Sequence, residues 1–328
     1  NIYNKFMINN LIIRQYQNSD FSLWNSFIEE SKNATFLFHR DFMEYHAERF
    51  ADFSLLIFEK QRLLAVLPAN RVGATLFSHQ GLTYGGLVLK DKTHLADVII
   101  IMQQVLIFLN QNQIQTLQLK IIPSIYATIP SDEMDYISFL VHANLIRKDS
   151  LAVIDFTNQI PISKVRKRGV EKGNSLGLIV KEETDLTSFW NQLLVPNLAS
   201  RYQSKPVHSL EEMTYLKSKF PHNIRQFNVY FENKLIGGVT VFFTKNVIHP
   251  QYISGNKEFN NTYGGLDFLY NFLMTKFNSE ARFFDFGPSN ESSGKQLNES
   301  LHYWKESFGA RTIVQNFYEI KTQNYSLL

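Results

Sequence analysis

Gly264 and Gly265 stand directly before "LDFLYNFLMTKF", in which Leu266, Leu269, Leu273 and Phe277 recur at helical spacing. A helix start carries unpaired backbone N–H groups and partial positive charge. Two glycines let a ligand approach them, so a phosphate or pyrophosphate is the group this feature would hold. The plainer reading is a tight turn that needs φ > 0. A basic stretch upstream, "SKVRKRGVEKGN", offers Lys164, Arg166, Lys167, Arg168 and Lys172. On a helix these five cannot share one face. Part of the run is therefore simply solvated, while the rest can grip phosphate, with arginine making forked contacts.

Titratable and polar groups gather on the neighbouring segments. "VIHPQYISG" reads as a strand carrying His249, Gln251 and Tyr252, and "ARFFDFG" as a strand ending at Asp285. Simple alternation puts His249 and Gln251 on one face and Tyr252 on the other. Here too a bland reading stands beside the functional one: the histidine as a structural hydrogen-bonder, the aspartate as a turn cap. "PSNESSGKQLN" is a polar loop that offers Ser289, Asn290 and Glu291 to a substrate. "RYQSKPVH" groups Arg201, Tyr202, Lys205 and His208.

Several chemistries are excluded. There is no Cys, so neither a thiolate nor a disulfide is available. The nine His show no zinc-binding spacing, and no G-x-S-x-G elbow is present. "HRD" at His39–Asp41 and "DFG" at Asp285–Gly287 imitate kinase signatures, but no glycine-rich loop or V-A-I-K accompanies them.

The elements that must position these groups come in a repeated order. "DFSLWNSFIEES" and "FHRDFMEYHAERF" read as helices, "SLLIFEKQRLLAVLP" as a strand hairpin and "TLFSHQGLTYGGLVL" as a further strand. The apolar helix "HLADVIIIMQQVLIFLNQN" and the strand "TLQLKII" follow. The second half runs through "DLTSFWNQLLVPNLASRY", "SLEEMTYLKSKF" with its S-x-x-E start, and the hairpin "NVYFENKLIGGVTV". It ends with two strands and the glycine-led helix. Thr-Tyr-Gly-Gly occurs in each half, at Thr83–Gly86 and Thr262–Gly265, each copy ahead of a long apolar helix. A weak duplication follows, with a join near Leu151–Lys164. The division expected is 1–155 and 156–328, the second domain carrying most of the site.

At 328 residues, 44% hydrophobic and 19% charged, the composition is globular, and a net charge of +3 gives no argument for DNA. Gln103 and Gln104 interrupt the most apolar stretch, which reads as a core helix rather than a membrane span. No secretory signal is visible, Met7 reads as an initiator, and the expected location is cytoplasmic.

The order helix, helix, hairpin, strand, glycine-led helix, strand, taken twice, resembles the Fem-type transferases of the GNAT N-acyltransferase superfamily. The resemblance rests on "KVRKRGVEKGNSLGLIV", "YGGLDFLYNFLM", "FFDFGPSN" and "LNESLHYWKESFGARTIVQNFYEI". It implies an α/β chain of two tandem GNAT-like domains, each a mixed, mostly antiparallel sheet flanked by helices. It implies transfer of an acyl or aminoacyl group from acyl-CoA or aminoacyl-tRNA to an amine of a small-molecule or cell-envelope precursor, such as a glycan or peptidoglycan precursor. The carrier is a co-substrate, and no tightly bound cofactor or metal is expected.

In that fold two strands splay to admit the acyl group. The resemblance accordingly makes His249 and Asp285 the acid/base pair, with Tyr263 a further donor. Gly264, Gly265, Lys164, Arg168 and Lys305 become carrier contacts, and Tyr202, Tyr252, Ser289, Asn290 and Glu291 substrate contacts. The chain departs from simple GNAT enzymes in lacking their Q/R-x-x-G-x-G/A loop. It also places Trp304 where they carry a tyrosine acid. A degenerate GNAT-like protein that binds a ligand or partner without catalysis is the alternative, and an aminoacyl-tRNA–protein transferase a third reading.

Overall fold

The computed structural model describes residues 11–328, apart from the side chains at 201, 202, 258, 260 and 261. Met7 and the side chain of Tyr202 lie outside the described residues. The chain divides into two compact units, one of 1–149 with 293–295 and 314–328, the other of 150–292 with 296–313. The join thus falls at 149/150, against 155/156 expected, and the last residues return to the first unit.

The first unit opens with β1 (Leu11–Gln15) and α1 (Phe21–Glu29), whose helical spacing buries Trp24, Phe27 and Ile28. A short α2 (Arg40–Met43) precedes the hairpin β2 (Leu55–Glu59) and β3 (Arg62–Leu67), which turns on Lys60 at φ 55°. β4 (Asn70–Val72), β5 (Thr75–Phe77) and β6 (Val88–Leu89) follow, then α3 (Leu95–Gln111), β7 (Thr116–Lys120) and α4 (Glu133–Leu140). One sheet is antiparallel in the order β1-β2-β3-β6. In the other, β4 pairs with β5, β5 runs parallel to β7, and β7 pairs antiparallel with the strand Arg311–Lys321. α3 is the core helix its apolar run predicts. Val98, Ile101, Val105 and Leu109 have no solvent exposure and join Leu55, Ile57 and Leu117 in one cluster.

The second unit begins within β8 (Asn144–Asp155). α5 (Lys164–Ser175), β9 (Ile179–Glu183) and α6 (Thr187–Phe189) come next, then a π-helical turn, Trp190–Leu194, that leads into α7 (Val195–Tyr202). α8 (Leu210–Lys219) starts with the expected capping box, Ser209 and Glu212 each bonding the other's backbone. The sheet strands are β10 (Ile224–Phe231), β11 (Lys234–Phe243), β12 (Val247–Gly255) and, after α9 (Lys257–Tyr263) and α10 (Gly265–Phe277), β13 (Phe283–Pro288). A small hairpin, β14 (Asn290–Glu291) and β15 (Gln296–Leu297), then α11 (Glu299–Glu306) and the first residues of β16 (Arg311–Lys321), up to 313, complete it. The order is β9-β10-β11-β12-β13-β8, antiparallel except between β12 and β13. Leu269, Leu273 and Phe277 of α10 cluster with Phe227, Val239 and Val241 of the sheet. On the other face Phe189 covers Gly238, and Trp190 meets Tyr252.

The two Thr-Tyr-Gly-Gly copies do not share a conformation. The strand expected across 75–89 breaks into β5 and β6. Thr83–Gly86 lies in the loop between, where Gly85 bridges Ile121 in parallel and the Tyr84 hydroxyl meets that of Thr35 at 2.9 Å. In the second copy Tyr263 closes α9, Gly264 caps α10 at φ 68°, and Gly265 begins it. Gly264 is required twice over. Its φ is left-handed, and an added Cβ would lie 2.4 Å from the carbonyl oxygen of Gly169 in α5. Gly177 makes a useful contrast, having φ +69° but open space around it. Gly177→Ala is expected to cost about 1 kcal/mol from backbone strain alone. Gly264→Ala should cost about 2–4 kcal/mol, because steric displacement of α5 adds to that strain. Urea unfolding of the two variants checks the difference, and equal costs would show that α5 does not press on the α10 start.

Candidate functional site

β12 and β13 pair at only two positions, Val247↔Phe283 and Ile248↔Phe284. The next residues, His249 and Asp285, stand where the ladder stops. Beyond them β12 stays with β11 and β13 with β8, so the two strands part as expected. Each wall of this fork carries an irregularity. On β12 the register passes from Val241↔Pro250 to Thr240↔Tyr252, leaving Gln251 as an extra residue. On β13 it passes from Asp285↔Val153 to Pro288↔Leu151, with Gly287 at φ 73°. The first bulge overturns the alternation argument. His249 pairs with Phe242 and Tyr252 with Thr240, two residues apart on a regular strand, so His249 and Tyr252 share a face. One inserted residue is enough to reverse the parity.

Side chains satisfy the backbone groups that the parted strands leave open. His249 Nδ1 lies 2.8 Å from the carbonyl oxygen of Asp285. A carbonyl can only accept, so Nδ1 carries the proton and Nε2 of the neutral ring keeps its lone pair. The Asp285 carboxylate lies 3.7 Å from the same nitrogen, and its Oδ1 accepts the Gly287 N–H at 2.7 Å. Lys305, 5% exposed, reaches in from α11 and donates to the carbonyls of Gly287 (2.9 Å) and Pro288 (2.7 Å). Burial lowers its pKa to about 8, against the opposing pull of Asp285. Imidazole, carboxylate and ammonium thus meet at one fork.

The other residues singled out in the sequence are distributed unevenly. The Tyr252 hydroxyl meets His208 Nδ1 at 2.5 Å and accepts the His208 N–H at 3.2 Å, and burial pushes its pKa up to about 12. Ser289 is buried, with no hydrogen-bond partner for its hydroxyl among the described residues. Asn290 and Glu291 serve the fold: Asn290 accepts the N–H and hydroxyl of Ser150, and Glu291 accepts from Asn298. Tyr263 is not brought to the fork. Its ring stacks on Phe231, 5.0 Å between centroids, at the hairpin end where Phe231 pairs with Lys234. His249 pairs with Phe242 near the other end of the same strand, roughly 26 Å away at 3.3 Å per residue.

The glycine-led helix start opens on a groove of about 480 Å³, whose lining includes Arg166, Arg168, Lys172, Gly264, Asp267 and Trp304. Arg166 turns inward to pair with Asp267 in the first turn of α10, and burial holds the Asp267 pKa above its usual value despite that partner. Arg168 and Lys172 stay exposed on the groove, while Lys164 and Lys167 face solvent outside it. Of the expected carrier contacts, Gly264 and Arg168 therefore lie together, Lys305 lies at the fork, and Lys164 lies at neither. Two glycines of α5 that face α10 escaped the sequence reading. A Cβ on Gly169 would fall 2.1 Å from Asp267, and one on Gly173 2.9 Å from Phe268. Their i, i+4 spacing within the basic helix was the available signal for a close helix crossing.

No protein-family model and no curated protein matches this sequence. Solved structures do match its fold. The crystal structure of FemX superposes with TM-score 0.66 at 10% identity, over 97% of this chain and 99% of that one. L-PGS from Bacillus licheniformis superposes with TM-score 0.59 at 10% identity, over 96% of each. The C-terminal domain of a lysylphosphatidylglycerol synthetase candidate from Agrobacterium fabrum gives 0.56 at 11% identity, over 80% and 84%. With the two mixed, mostly antiparallel units and the parted strand pair, this likeness gives the chain a FemX-like fold.

Proposed function

We propose that the second unit transfers an acyl or aminoacyl group from acyl-CoA or aminoacyl-tRNA to an amine on a small-molecule or cell-envelope precursor. One observation carries this reading. The strands part at His249, whose Nδ1 is fixed by the Asp285 carbonyl so that Nε2 is the basic nitrogen. An attacking amine must lose a proton, and a neutral imidazole held in one tautomer is suited to take it. The carboxylate of Asp285 favours the imidazolium that results. Tyr252 and Ser289 stand as substrate contacts near the fork. The α10 start with Arg168 and Lys172 receives phosphate of the carrier. Lys305, engaged with two carbonyls, supports the β13 wall rather than the carrier.

Binding without turnover is the second reading, and Trp304 favours it. This indole stands where simple GNAT enzymes have a tyrosine acid, and it does not titrate near neutral pH. A thermal-shift screen of acetyl-CoA, longer acyl-CoAs and aminoacyl-tRNA, followed by a product assay with amine acceptors, separates the two.

Three outcomes are expected. His249→Ala and Asp285→Asn should each lower single-turnover transfer by about 100-fold or more while carrier affinity holds. Full transfer by both variants removes the proposed base. Charge reversal of Arg168 and Lys172 to Glu should weaken carrier binding at least about tenfold, with a shallower salt dependence, and leave transfer from saturated carrier near its original rate. The third concerns pH. Lys305 falls to about 8 in the folded chain from an ordinary 10.5, so between these values the unfolded chain binds more protons and stability rises with pH. Lys305→Met lacks that rise. Relative to the native chain it should lose up to about 3 kcal/mol of unfolding free energy between pH 7 and pH 10. A difference that stays constant with pH would mean that this amine is not desolvated.

A further inference from the structure

A second lysine with a lowered pKa lies in the first unit, far along the chain from the proposed transfer site. Lys120 ends β7. Its backbone is pinned on both sides, its N–H by Ser78 Oγ (2.8 Å) and its carbonyl by the Gly85 N–H (2.6 Å). The side chain is half-buried, and Nζ donates to the Leu82 carbonyl at 2.6 Å. Among the described residues no carboxylate comes within ion-pairing distance of it. The nearest acid in its field, Asp149, is held by both arms of Arg147 at 2.8 and 2.7 Å. Lys120 lines a small cavity of about 90 Å³ together with Phe77, His79, Ile146 and Phe317. Ile146 is 42% exposed and forms the rim.

These features make an unusual amine. The cavity walls are largely apolar, the strongest electrostatic neighbour is a guanidinium, and among the described residues Nζ is partnered by a neutral carbonyl. Burial, then Arg147, brings its pKa down to about 8. At neutral pH the reactive neutral fraction is roughly 300-fold above that of a solvated lysine, and reduced basicity takes back only part of this. The cavity that Lys120 lines has room for two or three carbons and no room for a long chain.

We infer that Lys120 is an acylation site for short activated acyl groups, a thioester or an acyl phosphate. Nζ attacks the acyl carbonyl, an N–C bond forms, and the C–S or C–O bond to the carrier breaks. The thiolate or phosphate departs, and the nitrogen gives its proton to solvent, leaving a neutral amide. The site is independent of transfer in the second unit.

Lys305 is a built-in control. It has a similarly lowered pKa but is closed in by two carbonyls. The native protein would be incubated at pH 7.5 with acetyl-CoA and, separately, with acetyl phosphate, and acetylation rates read site by site by peptide mass spectrometry. Lys120 should lead the exposed Lys60 and Lys148 by about tenfold, with Lys305 at background. Reaction with only one donor identifies that donor as the source. Ile146→Trp, which fills the cavity from its rim, should bring Lys120 down to the surface rate and leave Lys60 unchanged. A native Lys120 no faster than Lys60 overturns the inference, and so does a lead that survives Ile146→Trp.

Discussion

Opening a sheet leaves hydrogen-bonding backbone with nothing to bond, and the candidate site is built on how this chain meets that requirement. After Ile248↔Phe284 the ladder between β12 and β13 ends, and an unpaired buried carbonyl or N–H costs free energy comparable to a lost hydrogen bond. The Asp285 carbonyl is capped by His249, the Gly287 N–H by the Asp285 carboxylate, and the Gly287 and Pro288 carbonyls by Lys305. The same bonds that stabilise the gap select the histidine tautomer and place a negative charge beside it. Structural satisfaction and chemical readiness are one arrangement here.

The groove follows a related logic at a helix crossing. α5 approaches α10 closely enough that Gly169, Gly173 and Gly264 leave no room for a side chain at the contact. This closeness lets Arg166 reach Asp267, so one cation of the basic helix is neutralised within the protein while Arg168 and Lys172 remain on the groove. The basic run therefore divides by geometry into a paired arginine, a groove pair and a solvated face.

Much of this was legible in the sequence, and the remainder was hidden for identifiable reasons. The apolar period of α3, the capping box of α8 and the glycine before α10 each announce themselves locally, because the forces behind them act over a few residues. The fork could be expected only from family resemblance, since nothing in "VIHPQYISG" states where its neighbour departs. The bulge at Gln251 was invisible to alternation and reversed the relation between His249 and Tyr252. Tyr263 was misplaced because nearness in sequence to the glycine pair says nothing about which end of β11 its ring will meet. Asn290 and Glu291 look like ligand groups in a polar loop, yet their partners Ser150 and Asn298 lie 140 and 7 residues away, and both bonds serve the fold.

The return of the final strand bears on how the polypeptide matures. Among the described residues β7 finds its antiparallel neighbour in β16, Thr116 meeting Lys321 and Lys120 meeting Phe317, and Thr322 then anchors to the Ile114 carbonyl. On a ribosome, everything needed for the second unit is synthesised between these two partners. One edge of the earlier unit must wait, unzipped and adhesive, for some two hundred further residues to emerge. Biogenesis of this molecule is thus nested rather than serial: the part begun first is the part finished last.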